Sequence, residues 1–156
     1  MDMDRSSPNN PLIVYTYGVF DLLHIGHLRL LEEAKGLGDR LVVGVFTDRV
    51  ATEFKRLPIV PEDQRLALVK ALRCVDEVVF QDTFLPDENL RLVRPQILAK
   101  GPGAGWEYGQ ILPGSQTIQQ WGGQIILLNY HGVTSTSQII DKIWKLPQLS
   151  AHSLKN

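Results

Sequence analysis

Short apolar runs alternate with segments of helical character along most of the chain. The runs are rich in Val, Ile and Leu and have the length of buried strands. Five of them predict strands, at residues 12–14, 40–47, 75–80, 96–100 and 124–129. The segments between them predict helices at residues 24–37, 48–54, 61–72, 85–93 and 115–121, with a last helix beginning near Ser137. In the fourth helix we expect Leu85, Leu90, Leu92 and Val93 to share one buried face.

This alternation of strands and helices predicts the fold class. It is typical of an α/β domain in which helices cover both faces of one doubly wound, five-stranded parallel sheet. A chain of 156 residues has the length of a single domain, which we place at residues 11–146. The flanking residues 1–10 and 147–156 are expected to be flexible tails. Ligands of such sheets bind at the carboxyl ends of the strands, so a site is expected there.

Composition and charge argue against several functional classes. No apolar run approaches the roughly 18 residues of a membrane helix, and the polar N-terminal segment has no signal-peptide pattern. The net charge of −1 argues against a nucleic-acid partner. The one cysteine, Cys74, cannot form an intrachain disulfide and is expected to be a buried structural thiol. We therefore predict a cytoplasmic protein without a membrane partner.

The stretch YTYGVFDLLHIGH, from Tyr15 to His27, is the strongest candidate for chemistry. An apolar strand runs into a turn at Gly18 and then into a helix that opens with His24 and His27. The three-residue spacing places both imidazoles on one helix face, beside the free N–H groups of a helix N-terminus, where an anion is favoured. Gly26 lacks a Cβ that would block the approach. The pattern predicts a phosphate site.

The histidine pair has two other interpretations. Histidines at this spacing are often only structural, and they can also be metal ligands. A metal site is disfavoured because no Asp, Glu, Cys or third His stands at ligand spacing, with Glu32 and Glu33 further along the helix. The glycine between the histidines and the strand and turn before them favour the phosphate interpretation.

The segment GVFDLLHIGH resembles the H-x-G-H signature of the cytidylyltransferase-like nucleotidyltransferases. Residues Tyr15–Asp48, Pro58–Arg65 and Ser135–Ile140 are similar to both glycerol-3-phosphate cytidylyltransferases and heptose-1-phosphate adenylyltransferases. The resemblance implies a Rossmann-like fold and transfer of a nucleoside monophosphate from a nucleoside triphosphate to a phosphorylated acceptor, with release of pyrophosphate. It also implies a homodimer, and Mg²⁺ that is bound with the triphosphate and has no ligand from a protein side chain.

The same resemblance assigns roles to individual residues. His24 and His27 would donate to phosphate oxygens as charge builds up during in-line attack, and Lys55 and Arg56 would neutralise the triphosphate. Ungapped counting places Arg56, rather than Lys55, on the family's lysine. Arg65 would either meet a phosphate or brace its loop. The residues expected to bind the nucleotide are Tyr17, Gly18, Val19, Phe20, His24, Gly26, His27, Arg65, Lys100, Gly101, Ser135, Thr136 and Ser137.

Three residues have expected supporting roles. Asp21 precedes the histidine helix and is expected to cap it, or else to orient a histidine. Asp48 follows the second strand, as a helix cap or as a residue of the crevice. Trp106 resembles the tryptophan that follows the glycine of cytidylyltransferases, with loop packing as the alternative.

The two halves of the chain favour different nucleotides. The opening TYGVFDLLH resembles cytidylyltransferases, whereas Lys100-Gly101, Trp121-Gly122-Gly123 and Leu128-Asn129 resemble the heptose-phosphate enzymes. We predict CTP as the donor and a small phosphorylated polyol or sugar as the acceptor. ATP-dependent adenylyl transfer to a sugar phosphate is the alternative, and a non-catalytic nucleotide sensor on the same fold is the alternative from another class.

Overall fold

Parallel strands with helices between them make up the part of the chain that the computed structural model describes, residues 9–101, 112–129 and 134–147. The strands are β1 (Ile13–Gly18), β2 (Arg40–Phe46), β3 (Glu77–Gln81), β4 (Ile97–Lys100) and β5 (Gln124–Leu127). The helices are α1 (Ile25–Lys35), α2 (Asp48–Phe54), α3 (Glu62–Lys70), α4 (Asp87–Val93), α5 (Ser115–Gln119) and α6 (Thr136–Lys145). The predicted elements are all present, with ends that differ by a few residues.

The five strands form one parallel sheet in the order β3-β2-β1-β4-β5. The chain first builds outward from β1 to β3 and then crosses to the other side of β1 to add β4 and β5. Val14 of β1 accordingly pairs with Leu41 on one side and with Ile97 on the other. The order reverses between β1 and β4, which is where ligands bind in folds of this type. The prediction of a doubly wound, five-stranded parallel sheet is confirmed.

Apolar clusters lie on both faces of the sheet, because successive strand side chains point in opposite directions. On the first face, Val14 and Val43 pack with Leu31 of α1 and Val69 of α3. On the second face, Tyr15 and Tyr17 pack with residues of α2, α4 and α5, among them Val50, Leu90 and Ile118. Cys74 is half-buried against the first cluster, where burial raises the pKa of its thiol. No described helix combines the length and apolar character needed to cross a membrane.

The predicted apolar face of the fourth helix is wrong in part. Leu90 is fully buried and Val93 packs against the second-face cluster, whereas Leu85 and Leu92 are 52% and 83% exposed. Leu85 precedes the helix, which begins at Asp87 after Pro86. Leu92 is two positions after Leu90, and residues at that spacing do not share a helix face. Leu90 and Val93 are three positions apart, so they share one face of the helix, and this is the face that is buried.

A close contact between β1 and β2 depends on Gly44. A Cβ at this position would overlap the phenol oxygen of Tyr15 and lie 2.8 Å from its Cζ atom. Tyr15 is fully buried; its hydroxyl donates to Gln81 Oε1 at 2.7 Å and accepts from Asn89 Nδ2 at 2.9 Å. The ring therefore cannot move without disturbing hydrogen bonds to β3 and α4.

We expect Gly44→Ala to lower the free energy of unfolding by about 1–3 kcal/mol, the usual effect of overpacking a tight interior. Urea denaturation followed by circular dichroism measures this. Gly36→Ala is the matched control, because Gly36 ends α1 in a right-handed helical conformation and a Cβ there would lie 3.3 Å from its nearest contact, the carbonyl oxygen of Glu33. Equal stabilities for the two variants would contradict the steric argument.

Candidate functional site

A cavity of about 440 Å³ opens at the carboxyl ends of β1 and β2, beside the point where the strand order reverses. One side of it, which we name the histidine wall, consists of Phe20, His27, Leu30 and Thr136. A second group of lining residues, the tyrosine wall, consists of Tyr17, Phe46 and Phe54, in which the Phe46 ring contacts both of the others. Tyr17 and Phe46 belong to the second-face cluster. The remaining lining residues are Gly18, Val19, Asp21, Lys55, Arg56 and Gly101.

The cavity brings together many of the residues predicted from the sequence. The predicted residues that line it are Tyr17, Gly18, Val19, Phe20, Asp21, His27, Lys55, Arg56, Gly101 and Thr136. Those that do not line it are His24, Gly26, Asp48, Arg65, Lys100, Ser135 and Ser137. Trp106 lies outside the described residues.

The turn between β1 and α1 is shaped by two residues that are not glycine. Phe20 and Leu22 have φ angles of 54° and 49°, in the left-handed region that non-glycine residues seldom adopt. Gly18, which we expected to supply the freedom of the turn, ends β1 without a positive φ. A Cβ on Gly18 would instead approach the Phe20 ring at 3.2 Å. The Phe20 ring is buried and lies edge-on to His27, with ring centroids 5.5 Å apart.

His24 caps the helix that we expected it to belong to. Its Nδ1 atom accepts a hydrogen bond from the backbone N–H of Gly26 at 3.0 Å, and the His27 Nδ1 atom accepts from the backbone N–H of His24 at 3.3 Å. This reciprocal pair satisfies two N–H groups at the helix start in the manner of a capping box. The rings stack, with centroids 3.8 Å apart. The prediction that Asp21 caps this helix is therefore wrong.

These hydrogen bonds define the protonation of both imidazoles. An Nδ1 atom that accepts an N–H carries no proton, so a neutral ring must carry its proton on Nε2 and can donate from there. Burial lowers the pKa of His24, and burial, His24 and Lys55 together lower that of His27 to about 4. At neutral pH the pair therefore consists of two neutral rings, each with Nε2–H as its donor.

Gly26 is required for packing rather than for an open approach. A Cβ there would lie 2.6 Å from the carbonyl oxygen of Thr134 and 2.9 Å from Cε1 of His24. The first contact is with the backbone just before α6, and the second is with the capping ring. Our expectation that the missing Cβ leaves room for a phosphate is replaced by this close approach between α1 and α6.

The Asp21 carboxylate holds the segment between α2 and α3. Its Oδ2 atom accepts from Arg56 Nη1 at 2.8 Å and from the Ile59 backbone N–H at 2.9 Å, and its Oδ1 atom accepts from the Val60 backbone N–H at 2.9 Å. Burial alone would raise the pKa of Asp21, but these donors outweigh it and hold the pKa below its usual value. The Asp21 carbonyl oxygen also accepts from Thr136 Oγ1 at 2.8 Å.

Lys55 and Arg56 differ in how far they are already engaged. Arg56 forms the ion pair with Asp21 and is 33% exposed in its side chain. Lys55 is exposed, lines the cavity and contributes to the lowered pKa of His27, and it forms no ion pair within the described part of the chain. Of the two cations, Lys55 is the one free to neutralise an anion.

Arg65 and Asp48 brace the structure beneath the cavity. The Arg65 side chain is fully buried; it donates to the carbonyl oxygens of Val60 and Val19 at 2.9 and 2.6 Å and to Asp48 Oδ1 at 2.7 Å. This geometry agrees with the loop-bracing role of Arg65, because its donors already have protein acceptors. Asp48 is not the cap of α2, since that position belongs to Thr47, and its carboxylate faces Arg65 instead of the cavity.

The three hydroxyl residues at the start of α6 have different surroundings. Ser135 is the N-cap: its Oγ accepts from the Gln138 N–H at 3.2 Å while the Gln138 side chain accepts from the Ser135 N–H. Thr136 is buried and donates to Asp21 O, and it lines the cavity. Ser137 is exposed. Of the three, Thr136 is the one that the structure places at the cavity.

Lys100 reaches the cavity only through Tyr17. It is 3% exposed, and its ammonium donates to the Tyr17 hydroxyl at 2.6 Å and lies 3.8 Å from the centre of that ring. Burial lowers the pKa of Lys100 to about 7 and raises that of Tyr17. The neighbouring Gly101 does line the cavity.

Three lining residues were missed from the sequence: Leu30, Phe46 and Phe54. Phe46 ends β2, beside the strand that leads into the histidines, so the rule for strand ends could have identified it. Phe54 ends α2 immediately before Lys55. The helix has only seven residues, which is too short for its pattern of apolar residues to predict which face Phe54 lies on. Leu30 follows His27 by three positions and shares its helix face.

Comparisons with known proteins match most of the chain. The family model described as cytidylyltransferase-like matches residues 15–142. The bifunctional protein HldE of Koribacter versatilis is 40% identical over 136 residues, and that of Pseudomonas aeruginosa is 41% identical over 133 residues. These matches cover 86% and 84% of this chain but only 27% and 28% of the HldE proteins, so the chain spans little more than a quarter of their length.

A solved structure has the same fold. It is the lipopolysaccharide core biosynthesis protein from Thermoplasma volcanium, with a TM-score of 0.70 and 31% sequence identity. The similarity covers 78% of this chain and 99% of that one.

We expect His27 to titrate near pH 4 in the folded protein, well below the roughly 6.5 of an unfolded histidine. As the pH falls below 6.5 the unfolded chain takes up this proton first, so the contribution of His27 to stability is lost between pH 6.5 and 4. NMR of the imidazole carbons measures the titration. The free energy of unfolding should decline less steeply over this range in His27→Gln than in the wild-type protein. A titration midpoint of His27 near 6.5, together with equal declines in the two proteins, would contradict the burial argument.

We expect Asp21→Asn to lower the free energy of unfolding by about 1–3 kcal/mol, because one carboxylate oxygen becomes an amide that cannot accept from its present donors. Hydrogen exchange should accelerate most at the Ile59 and Val60 amides, which donate to Asp21. Asp63→Asn, at an exposed position in the first turn of α3, is the matched control. Unchanged exchange at the two amides would show that another contact holds the segment.

Proposed function

Because the chain belongs to the cytidylyltransferase-like family of nucleotidyltransferases, we propose that it transfers the adenylyl group of ATP to a heptose-1-phosphate-like sugar phosphate, with release of pyrophosphate. The observation that carries the proposal is the neutral imidazole of His27, which lines the cavity and stacks on His24, with Nδ1 of each ring occupied by a backbone N–H. This arrangement offers Nε2–H donors that need no proton uptake before they can bind phosphate oxygens.

The choice of ATP replaces our prediction of CTP. The HldE relatives point to ATP-dependent heptose-1-phosphate adenylyltransferase activity, which supports the alternative derived from Lys100-Gly101 and Trp121-Gly122-Gly123 over the one derived from TYGVFDLLH. The relation to a lipopolysaccharide core biosynthesis protein is also compatible with a sugar substrate. The acceptor in this proposal is a sugar phosphate rather than a polyol phosphate.

Adenylyl transfer by this site would depend on positioning of the reactants and on electrostatic stabilisation. The α-phosphate would lie against the histidine wall, where the His27 Nε2–H donates to an oxygen on which charge builds up as the acceptor phosphate attacks. His24 would support His27 through the stacked ring and the shared capping hydrogen bonds. A neutral imidazole is suited to this role because it donates without first binding a proton.

Lys55 and the start of α6 would meet the rest of the triphosphate. We assign the charge-neutralising role to Lys55, because Arg56 is paired with Asp21. Ser135, Thr136 and Ser137 lie at the N-terminus of α6, where the macrodipole favours an anion. Their contact with the β- and γ-phosphates is part of the proposal, as is contact of the nucleotide with the backbone of Gly18, Val19 and Gly101.

Mg²⁺ would be carried by the triphosphate itself. Asp21, the carboxylate that lines the cavity among the described residues, already accepts hydrogen bonds from Arg56 and two backbone donors, and the described residues contain no cluster of three metal-ligating side chains. These residues fit a metal held by phosphate oxygens, which would neutralise charge on the triphosphate. The absence of a protein ligand to Mg²⁺ and the homodimer stay predictions.

We expect the purified protein to release pyrophosphate from ATP in the presence of heptose 1-phosphate, with a kcat/KM at least tenfold higher for ATP than for CTP. A pocket that pairs the polar edge of one base leaves polar groups unpaired with the other. His27→Ala should reduce kcat on the order of a hundredfold, the usual loss when one donor to a developing charge is removed. A coupled pyrophosphate assay measures both effects.

Thermal melts of His27→Ala distinguish loss of the donor from loss of the fold. A folded variant with near-normal turnover would contradict the role of the imidazole. A preference for CTP would restore the cytidylyltransferase interpretation while leaving the reaction class intact. Glycerol 3-phosphate, assayed in parallel, tests whether the acceptor is a sugar phosphate or a polyol phosphate.

A further inference from the structure

Lys100 is a buried cation without a carboxylate partner among the described residues. It is 3% exposed at the end of β4, and its ammonium has one hydrogen-bond partner there, the Tyr17 hydroxyl at 2.6 Å. Burying an unpaired charge is costly, so a well-packed apolar residue would be favoured here if only stability mattered. Such a group beside a cavity is a candidate for a functional role.

The hydrogen bond between the two residues has a defined direction. Below its pKa of about 7, Lys100 is an ammonium, which has no lone pair and can only donate, so the Tyr17 oxygen is then the acceptor. The phenol proton cannot be given to Lys100 and finds no other acceptor among the described residues. Tyr17 lines the cavity, whereas Lys100 does not. The pair therefore presents one O–H donor to the cavity, polarised by the positive charge behind it.

The position of Tyr17 separates this donor from the histidines. Tyr17 is part of the tyrosine wall with Phe46 and Phe54, on the second face of the sheet. His27 and Thr136 lie on the histidine wall, to which the proposed function assigns the triphosphate. In-line transfer requires the attacking oxygen and the leaving pyrophosphate to lie on opposite sides of the α-phosphate. Phe20 and Leu30 of the histidine wall pack with the first-face cluster and Tyr17 packs with the second, so a donor on Tyr17 is separated from the histidines and is placed for the acceptor.

We propose that Tyr17 binds the phosphorylated acceptor through its hydroxyl, and that Lys100 is a positioning residue that turns the Tyr17 O–H toward this substrate. The inference rests on the proposed function and adds the residue that holds the acceptor. The ligand is a phosphate or sugar oxygen of the acceptor. Lys100 acts only through Tyr17.

The first test is Tyr17→Phe, assayed with ATP and heptose 1-phosphate at pH 6, below the pKa of Lys100 of about 7. The KM for the acceptor should rise about tenfold, the scale of one hydrogen bond to a charged oxygen, while the KM for ATP stays within about twofold. Tyr15→Phe is the matched control, because Tyr15 is on the same face of β1 but does not line the cavity. It should lower stability and leave the acceptor KM unchanged.

The second test separates action through Tyr17 from direct binding by Lys100. Lys100→Met should raise the acceptor KM about threefold to tenfold, and in a Tyr17→Phe background it should cause no further rise. The double variant removes donor and acceptor together, so it leaves no unpaired charge and is expected to fold even where Tyr17→Phe alone does not. A full additional rise in the double variant would overturn the positioning role, and a rise confined to the KM for ATP would overturn the assignment to the acceptor.

Failure of this inference differs from failure of the proposed function. If wild-type protein releases no pyrophosphate with ATP and any sugar phosphate, both are overturned. If wild-type protein turns over and Tyr17→Phe retains its acceptor KM, only the inference is overturned.

Discussion

The buried carboxylate of Asp21 is the constraint on which the shape of the site depends. It takes three N–H donors from the segment between α2 and α3, while its own carbonyl oxygen accepts from Thr136 at the start of α6. Two segments that are far apart in the chain are thereby fixed around one residue in the turn after β1. A desolvated carboxylate that lost these donors would bear the cost of an unsatisfied charge, so the donors and the turn stabilise each other.

The histidine pair uses the helix N-terminus in a way that differs from a simple anion site. The N–H groups of His24 and Gly26 donate to the imidazoles and are not left open for a ligand. Each ring therefore stands between a backbone donor and whatever lies at its Nε2 atom. Chains of hydrogen bonds polarise one another, so the partial positive charge of the helix terminus is carried outward through the rings. The donors available to a ligand are then the Nε2–H groups of the two neutral imidazoles.

The sheet could be predicted from the sequence because strands that are buried on both faces appear as continuous apolar runs, and β1 and β2 are of this kind. The histidines and the lining residues of the turn could be found because they are consecutive or nearly so. The roles assigned to Asp21 and Asp48 failed for a different reason. Their partners, Arg56 and Arg65, are 35 and 17 positions away, and no local period records which distant cation a carboxylate will meet. Phe46 and Phe54 were missed because apolar residues at element ends look like ordinary core.

The left-handed conformation of Phe20 and Leu22 affects the stability of the protein through both the folded and the unfolded state. Relative to glycine, a non-glycine residue in this conformation lowers the free energy of unfolding by roughly 1–2 kcal/mol through strain in the native state. It also restricts the unfolded chain more than glycine would, which raises the free energy of unfolding by roughly 0.4–1 kcal/mol. The second effect offsets about half of the first, and burial of the Phe20 ring then decides the balance in favour of the side chain at that position. In the folded protein the buried Phe20 ring and the three donors to Asp21 already hold the loop that precedes the histidines, so less of the binding free energy of a ligand is spent on ordering it.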